Sequence, residues 1–136
     1  MSNANFSTDL FVLVINGRTI TDFGETATPF TDAPIDAKTT LRRGIGGRAV
    51  RMDRKNPGRS VSIFLNPGSS DSAYVQGLMN ANANIEMSTY QIGTLESSIG
   101  IEGVIVNDAS NGRAGTSITD DQYDFEFNGW NATKGG

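Results

Sequence analysis

Apolar side chains return at every second position along much of this chain, and short clusters of Asn, Gly and Pro interrupt the alternation. A period of two is that of a strand with one buried face, so the chain is expected to be mainly β. Phe11, Leu13 and Ile15 fall on one side of the first run, with Val12 and Val14 on the other. That run ends at Asn16-Gly17, a pair that suits a two-residue hairpin turn because both residues accept positive φ, and Arg18 to Ile20 is the return strand. Ser60 to Leu65 sets Val61, Ile63 and Leu65 against Ser60, Ser62 and Phe64. Tyr123 to Trp130 sets Tyr123, Phe125 and Phe127 against Asp124, Glu126 and Asn128. Two further strands are expected at Ile85 to Ile92 and Ser98 to Val106.

Weaker patterns lie between these runs. Thr21 to Pro34 reads as a surface loop pinned by Phe23 and Phe30, and Ile35 to Leu41 is only weakly strand-like. Ala49 to Arg54 and Ser60 to Leu65 flank Asn56-Pro57-Gly58 and are expected to pair across it as a hairpin. Asn111-Gly112 and Asn128-Gly129 are further turn signals. One helix of about three turns is expected after a second Asn-Pro-Gly at residues 66 to 68. Ser69, Ser70 and Asp71 offer caps there, and Tyr74, Val75, Leu78 and Met79 share one face. With 136 residues and no internal repeat, the chain is expected to be a single domain. The expected architecture is a β-sandwich or partial barrel with one flanking helix, flexible terminal segments and a Gly/Arg-rich arm at about 42–59.

The absence of Cys and His removes thiolate nucleophiles, imidazole bases, zinc fingers and disulfide frames. Gly44-Ile45-Gly46-Gly47 is too short and wrongly spaced for a dinucleotide fingerprint, and no phosphate-loop motif is present. Asp108 to Gly112 departs from a calcium loop at its third position, and Ile118 stands where the closing Glu is needed. No cofactor or metal is therefore expected. Asp124 and Glu126 share a strand face roughly 7 Å apart, a spacing open to carboxylate catalysis, but acidic exposed faces are common and a structural reading is preferred. Trp130 with Tyr123 is expected to serve core or interface before it serves a sugar. Residues 1 to 9 carry no basic residue and the run from Leu10 to Ile15 is too short for a signal core or membrane span, so folding in the cytosol and no membrane association are expected.

Charge is sorted along the chain. Arg42, Arg43, Arg48, Arg51, Arg54, Lys55 and Arg59 crowd a segment in which Asp53 is the only acid, whereas after residue 60 carboxylates dominate and the net charge of the whole is -4. The basic run is open to three readings: a solvated hairpin paired within its own subunit, a contact between subunits, or a nucleic-acid surface. The last is disfavoured by the lack of interleaved aromatics and by the acidic remainder. If the two signs lie on different surfaces, they favour head-to-tail contact between copies, which closes into rings or continues as a filament.

The order and type of these segments resemble the tail tube protein of contractile-tailed bacteriophages, related to tube proteins of contractile injection systems. The likeness spans residues 10 to 131. It rests on the hairpin Phe11 to Ile20, the basic segment Arg48-Ala49-Val50-Arg51-Met52-Asp53, the block from Ser60-Val61-Ser62-Ile63-Phe64-Leu65 into Ser72 to Met79, and Gly112-Arg113 with Tyr123 to Trp130.

The resemblance implies a tail-tube-like fold and a structural, non-enzymatic virion protein assembled in the host cytoplasm. It implies that six copies form a ring and that stacked rings conduct DNA. The implied partners are other copies, the sheath, a tape-measure protein in the lumen, and baseplate and tail terminator proteins, with DNA only in transit. It also makes the basic arm, Ser2 to Asp9 and Asn131 to Gly136 candidate ring-to-ring contacts. An acidic lumen would repel phosphate and let a duplex slide, so Glu86, Glu102, Asp124 and Glu126 are candidate lumen residues. The alternative reading is a small β module that binds nucleic acid or a sugar as a monomer or dimer.

Overall fold

The computed structural model describes residues 11–26, 28–109 and 111–134. Its strands are β1 (Phe11–Ile15), β2 (Arg18–Ile20), β3 (Phe30–Pro34), β4 (Thr39–Arg43), β5 (Ala49–Asp53), β6 (Arg59–Leu65), β7 (Ile85–Gln91), β8 (Ser97–Asp108) and β9 (Asp121–Thr133), with α1 (Ser70–Asn80) between β6 and β7. Seven strands form one sheet in the order β2-β1-β7-β8-β9-β6-β3, and β4 pairs with β5 in a separate two-stranded ribbon.

The alternation read from the sequence sets the inner face. Leu13 and Ile15 of β1, Val61, Ile63 and Leu65 of β6, Ile85 and Met87 of β7, and Phe125 and Phe127 of β9 are buried together. The sheet curls until its two edges approach: Phe11 of β1 lies 5.0 Å from Phe30 of β3, ring to ring, and Phe23 bridges Leu65. The result is the expected mainly β partial barrel.

α1 starts where the sequence placed it. The Ser69 side chain accepts from the Ser72 backbone N–H at 3.1 Å, and Val75 is wholly buried in the barrel core. Asp71, in its first turn, ties the helix to the chain leaving β2. It accepts from the backbone N–H groups of Thr21 at 2.9 Å and Asp22 at 3.0 Å, and from Arg18 Nε at 3.1 Å. Burial alone raises the Asp71 pKa, but the two backbone donors and the Arg18 guanidinium together outweigh it and hold the carboxyl below its ordinary value. A folded-state pKa below the unfolded one stabilises the fold above the unfolded pKa, and that stabilisation disappears as pH falls through the folded value. The urea midpoint is therefore expected to drop on acidification below about pH 4, with a shallower acid limb in Asp71→Asn. An identical limb in the variant contradicts the assignment.

Three sequence expectations are corrected. β6 does not form a hairpin with β5; it pairs with β3 on one side and β9 on the other. β5 pairs with β4, with Leu41 opposite Arg51. Asn56-Pro57-Gly58 lies at a joint in a ribbon and not at its tip: the Pro57 carbonyl accepts from Asp36 N–H, and Gly58 sits at φ +81 with Ile35 packed where a Cβ would begin to crowd. The second correction concerns Thr21 to Pro34, whose last five residues are strand β3. The third concerns Asn128-Gly129, which is no turn, because β9 runs through it opposite β8.

Candidate assembly surfaces

The backbone that makes β3 and β6 neighbours also builds the arm. Their ladder continues past Pro34 and Arg59 through bonds from Ile35 N–H to Gly58 O and from Asp36 N–H to Pro57 O, and then through Arg54 N–H to Lys38 O into β4 and β5. The tip is Gly44-Ile45-Gly46-Gly47, closed by Gly44 N–H to Arg48 O at 2.7 Å, with Gly47 at φ +82. Every residue of β4 and β5 is solvent-exposed. Leu41, Ile45, Val50 and Met52 are all more than half exposed on this ribbon, Ile45 at its tip completely.

Six of the seven basic candidates, Arg42, Arg43, Arg48, Arg51, Arg54 and Lys55, are on this arm. Its one acid inside the ribbon, Asp53, accepts from Arg51 Nε at 2.8 Å and Thr39 Oγ1 at 3.0 Å. Those two donors lower the Asp53 pKa, the Arg51 bond most. An exposed pair of this kind adds little to stability. Arg42, Arg43, Arg48 and Lys55 have no carboxylate partner among the described residues. The seventh candidate, Arg59, is instead in β6. It pairs with Asp32 of β3 and lies 6.0 Å above the Trp130 ring, so its charge is spent inside its own subunit.

The four candidate lumen acids lie together on the outer face of the large sheet. Glu86 alternates with buried Ile85 and Met87, Asp124 and Glu126 alternate with buried Tyr123, Phe125 and Phe127, and Glu102 accepts from Asn128 Nδ2 at 2.8 Å. Asp124 also accepts from Ser62 Oγ at 2.7 Å. Between them β8 exposes Ile99, Ile101, Val104 and Val106, a row the acidic reading of this face did not include. Asp124 and Glu126 stand on the outer sheet face, and neither lines the largest described cleft.

That cleft, of about 440 Å³, opens at the barrel mouth between Phe11, Phe30, the Asp32–Arg59 pair, Glu96 and Trp130. Trp130 is turned inward: it packs at 5.6 Å on Phe127 and occupies the space that a Cβ on Gly100 would need. Tyr123 is buried and donates from its hydroxyl to Gln76 Oε1 at 3.0 Å. Burial raises its pKa, although the Ser72 hydroxyl opposes the shift. These two rings serve the core and do not form an exposed platform for a sugar.

The end of the barrel away from the arm carries the opposite charge. β6 leads from the arm joint at Arg59 to Leu65, which faces Asp121, and there three loops meet. They bring together Asp22, Glu25, Asp71, Asp108, Asp120 and Asp121, against Arg18 and Arg113. Arg18 is held by Asp71 and Arg113 by Asp121. Asp120 accepts from Thr26 N–H at 3.2 Å, Asn66 Nδ2 donates to Asp22, and Gly112 with Thr119 closes the loop before β9. Asp22 and Glu25 are exposed and have no basic partner among the described residues. Sequence reasoning saw the basic run but not this end, because its acids come from segments up to a hundred residues apart.

Ser2 to Asp9 and the last two residues of Asn131 to Gly136 lie outside the described residues; Asn131 to Thr133 complete β9 beside Ser97 to Ile99. Among the described residues no group of three Asp or Glu side chains is arranged to hold a metal ion, and no helix is long and apolar enough to cross a membrane.

No protein-family model and no curated protein matches the chain. Solved structures do match over nearly its whole length. A chain in the sheath/tube terminator of the PVC extracellular contractile injection system, in its extended state, superposes with a TM-score of 0.64 at 11% identity, covering 98% of this chain and 100% of that one. A chain of the anti-feeding prophage tube-terminating cap gives 0.61 at 13% identity, covering 98% and 93%. A chain of the PVC sheath-tube complex gives 0.57 at 11%, covering 90% and 87%. This is a likeness of fold: the chain has a tail-tube-like fold.

Proposed function

We propose that this chain is the repeating structural subunit of a tail tube of the contractile kind, a self-assembling protein and not an enzyme. The observation that carries the reading is the charge polarity of the subunit: a wholly exposed basic ribbon leaves the barrel beside Arg59, and an acidic end lies at the far end of β6. An isolated two-stranded ribbon is marginal in water, and one that exposes Leu41, Val50 and Met52 gains stability only against a neighbour. A contact between unlike surfaces is heterologous and repeats, as a ring if the rotation closes and as a filament if it does not. The tail-tube-like fold agrees with this.

In this reading six copies make a ring, and rings stack into a tube. The sheet face carrying Glu86, Glu102, Asp124 and Glu126 is turned to a lumen that a tape-measure protein fills first and DNA crosses later. The sheath surrounds the tube, and baseplate and terminator proteins bind its ends. Light scattering across a concentration series tests the proposal. The mass is expected to rise from the 14.5 kDa chain to particles of many copies, and to fall back as salt screens the contact. A single-chain mass at every concentration contradicts it and moves the monomeric binding module to the front.

A further inference from the structure

The self-assembly reading leaves open where the arm goes. Resting on that reading, we infer that the arm of one copy docks on the acidic end of the copy stacked above or below it, against Asp22, Glu25 and the loop carrying Ile118.

Three observations lead there. First, most of the arm's positive charge is unmet within its own subunit: all of β4 and β5 is exposed, and Arg42, Arg43, Arg48 and Lys55 have no carboxylate partner among the described residues. Second, the ribbon is rooted at Arg59 while the acidic end begins at Leu65, so the two surfaces are separated by the whole of β6, about 20 Å at the rise of a strand. Surfaces at opposite ends of one subunit meet when copies stack along that axis. Third, the chemistry agrees. The arm offers cations without a carboxylate partner among the described residues, around apolar Ile45, Val50 and Met52; the far end offers the exposed carboxylates of Asp22 and Glu25 and, in the loop before β9, Ile118, which is 57% exposed. Apolar contact ringed by charges of opposite sign supplies both adhesion and polarity, and like poles repel. The sheet face of Glu86 and Glu126 is the competing acceptor, since it too mixes acids with an apolar row.

The chain has no Cys, so introduced thiols report alone. Ile45→Cys and Ile118→Cys variants are mixed, assembled and treated with a short bismaleimide; a parallel mixture pairs Ile45→Cys with Val104→Cys on the sheet face. Covalent dimers are expected in the first mixture and not in the second. Charge exchange gives a second reading that does not depend on the linker. Arg48→Glu and Glu25→Arg are each expected to weaken polymerisation, and the double variant to regain it.

Dimers confined to the Val104→Cys mixture, or single reversals that weaken assembly without rescue in the double, overturn the docking but leave the tube. Failure of the unmodified chain to assemble at all overturns the tube reading itself. Folding of each variant is followed by circular dichroism, and the conservative Arg48→Gln and Glu25→Gln are expected to show the same direction of change at smaller size.

Discussion

Replacing residues 38–55 with an Asn-Gly turn is expected to give a folded monomer that no longer polymerises. The expectation follows from how little the arm contributes to its own subunit. Neither strand buries a side chain, and the ladder that roots the ribbon is completed before it, between Pro34 and Arg59. The thermal midpoint is expected to move by no more than ~3 °C, the size of a surface change of several tenths of a kcal/mol. Assembly responds differently. The arm carries Arg42, Arg43, Arg48 and Lys55, which have no carboxylate partner among the described residues, and four exposed apolar side chains, and Arg is among the residue types that dominate contact energies when desolvated. Loss of two strong contacts is worth at least ~2.7 kcal/mol, so the concentration needed for polymer is expected to rise by ~100-fold or more. A loss of 10 °C in the midpoint would instead mean that the arm packs on its own barrel.

The largest effect on folding is expected at Phe127. Its side chain is 1% exposed, lies parallel to Phe125 at 6.2 Å and meets Trp130 at 5.6 Å. Opposite it β8 has glycine twice: a Cβ on Gly103 would stand 2.3 Å from the Phe127 ring and one on Gly100 2.9 Å from it. The strand has given up two side chains so that this ring can lie flat against its backbone. Phe127→Ala therefore opens a cavity that β8 has no side chains to fill, and the cost is expected to be ~3–5 kcal/mol. That is a large share of the ~5–15 kcal/mol that holds a domain folded, and corresponds to a midpoint lower by ~10–20 °C. Urea unfolding of the variant measures it. A change below ~1 kcal/mol would mean that the aromatic cluster is not the centre of the core.

Much of this fold was legible in the sequence wherever one face of a strand is buried. β1, β2, β6, β7, β8 and β9 and the helix all follow the alternation or the cap residues that announce them. β3 was not legible, because its inward positions are Phe30 and Asp32; a carboxylate faces inward only because Arg59 meets it from the neighbouring strand. The strands of the arm bury neither face, so no alternation marks them, and the strongest local turn signal, Asn56-Pro57-Gly58, lies at the joint of the ribbon. Asn128-Gly129 looked like a turn, but Gly129 is there because a Cβ would stand 2.6 Å from Ile101 on the paired strand.

The candidate surfaces divide in the same way. The basic arm is contiguous in sequence and was visible as a run of arginines. Arg59 belonged to the run but not to the surface, since pairing with Asp32 is decided by register. The acidic end was invisible, because only folding brings Asp22, Asp71 and Asp120 to one end of the barrel. The outer sheet face was half legible: its acids were named, but the row of Ile99, Ile101, Val104 and Val106 was not read as exposed.

The central claim is that the polarity of this subunit makes it polymerise into a tube. Electron microscopy of the assembled, purified chain, imaged in side view and end-on, tests that most directly. The account predicts hollow tubes of uniform width built from stacked rings, and their disappearance when residues 38–55 are replaced. Solid or irregular aggregates, or tubes that persist unchanged without the arm, would contradict it.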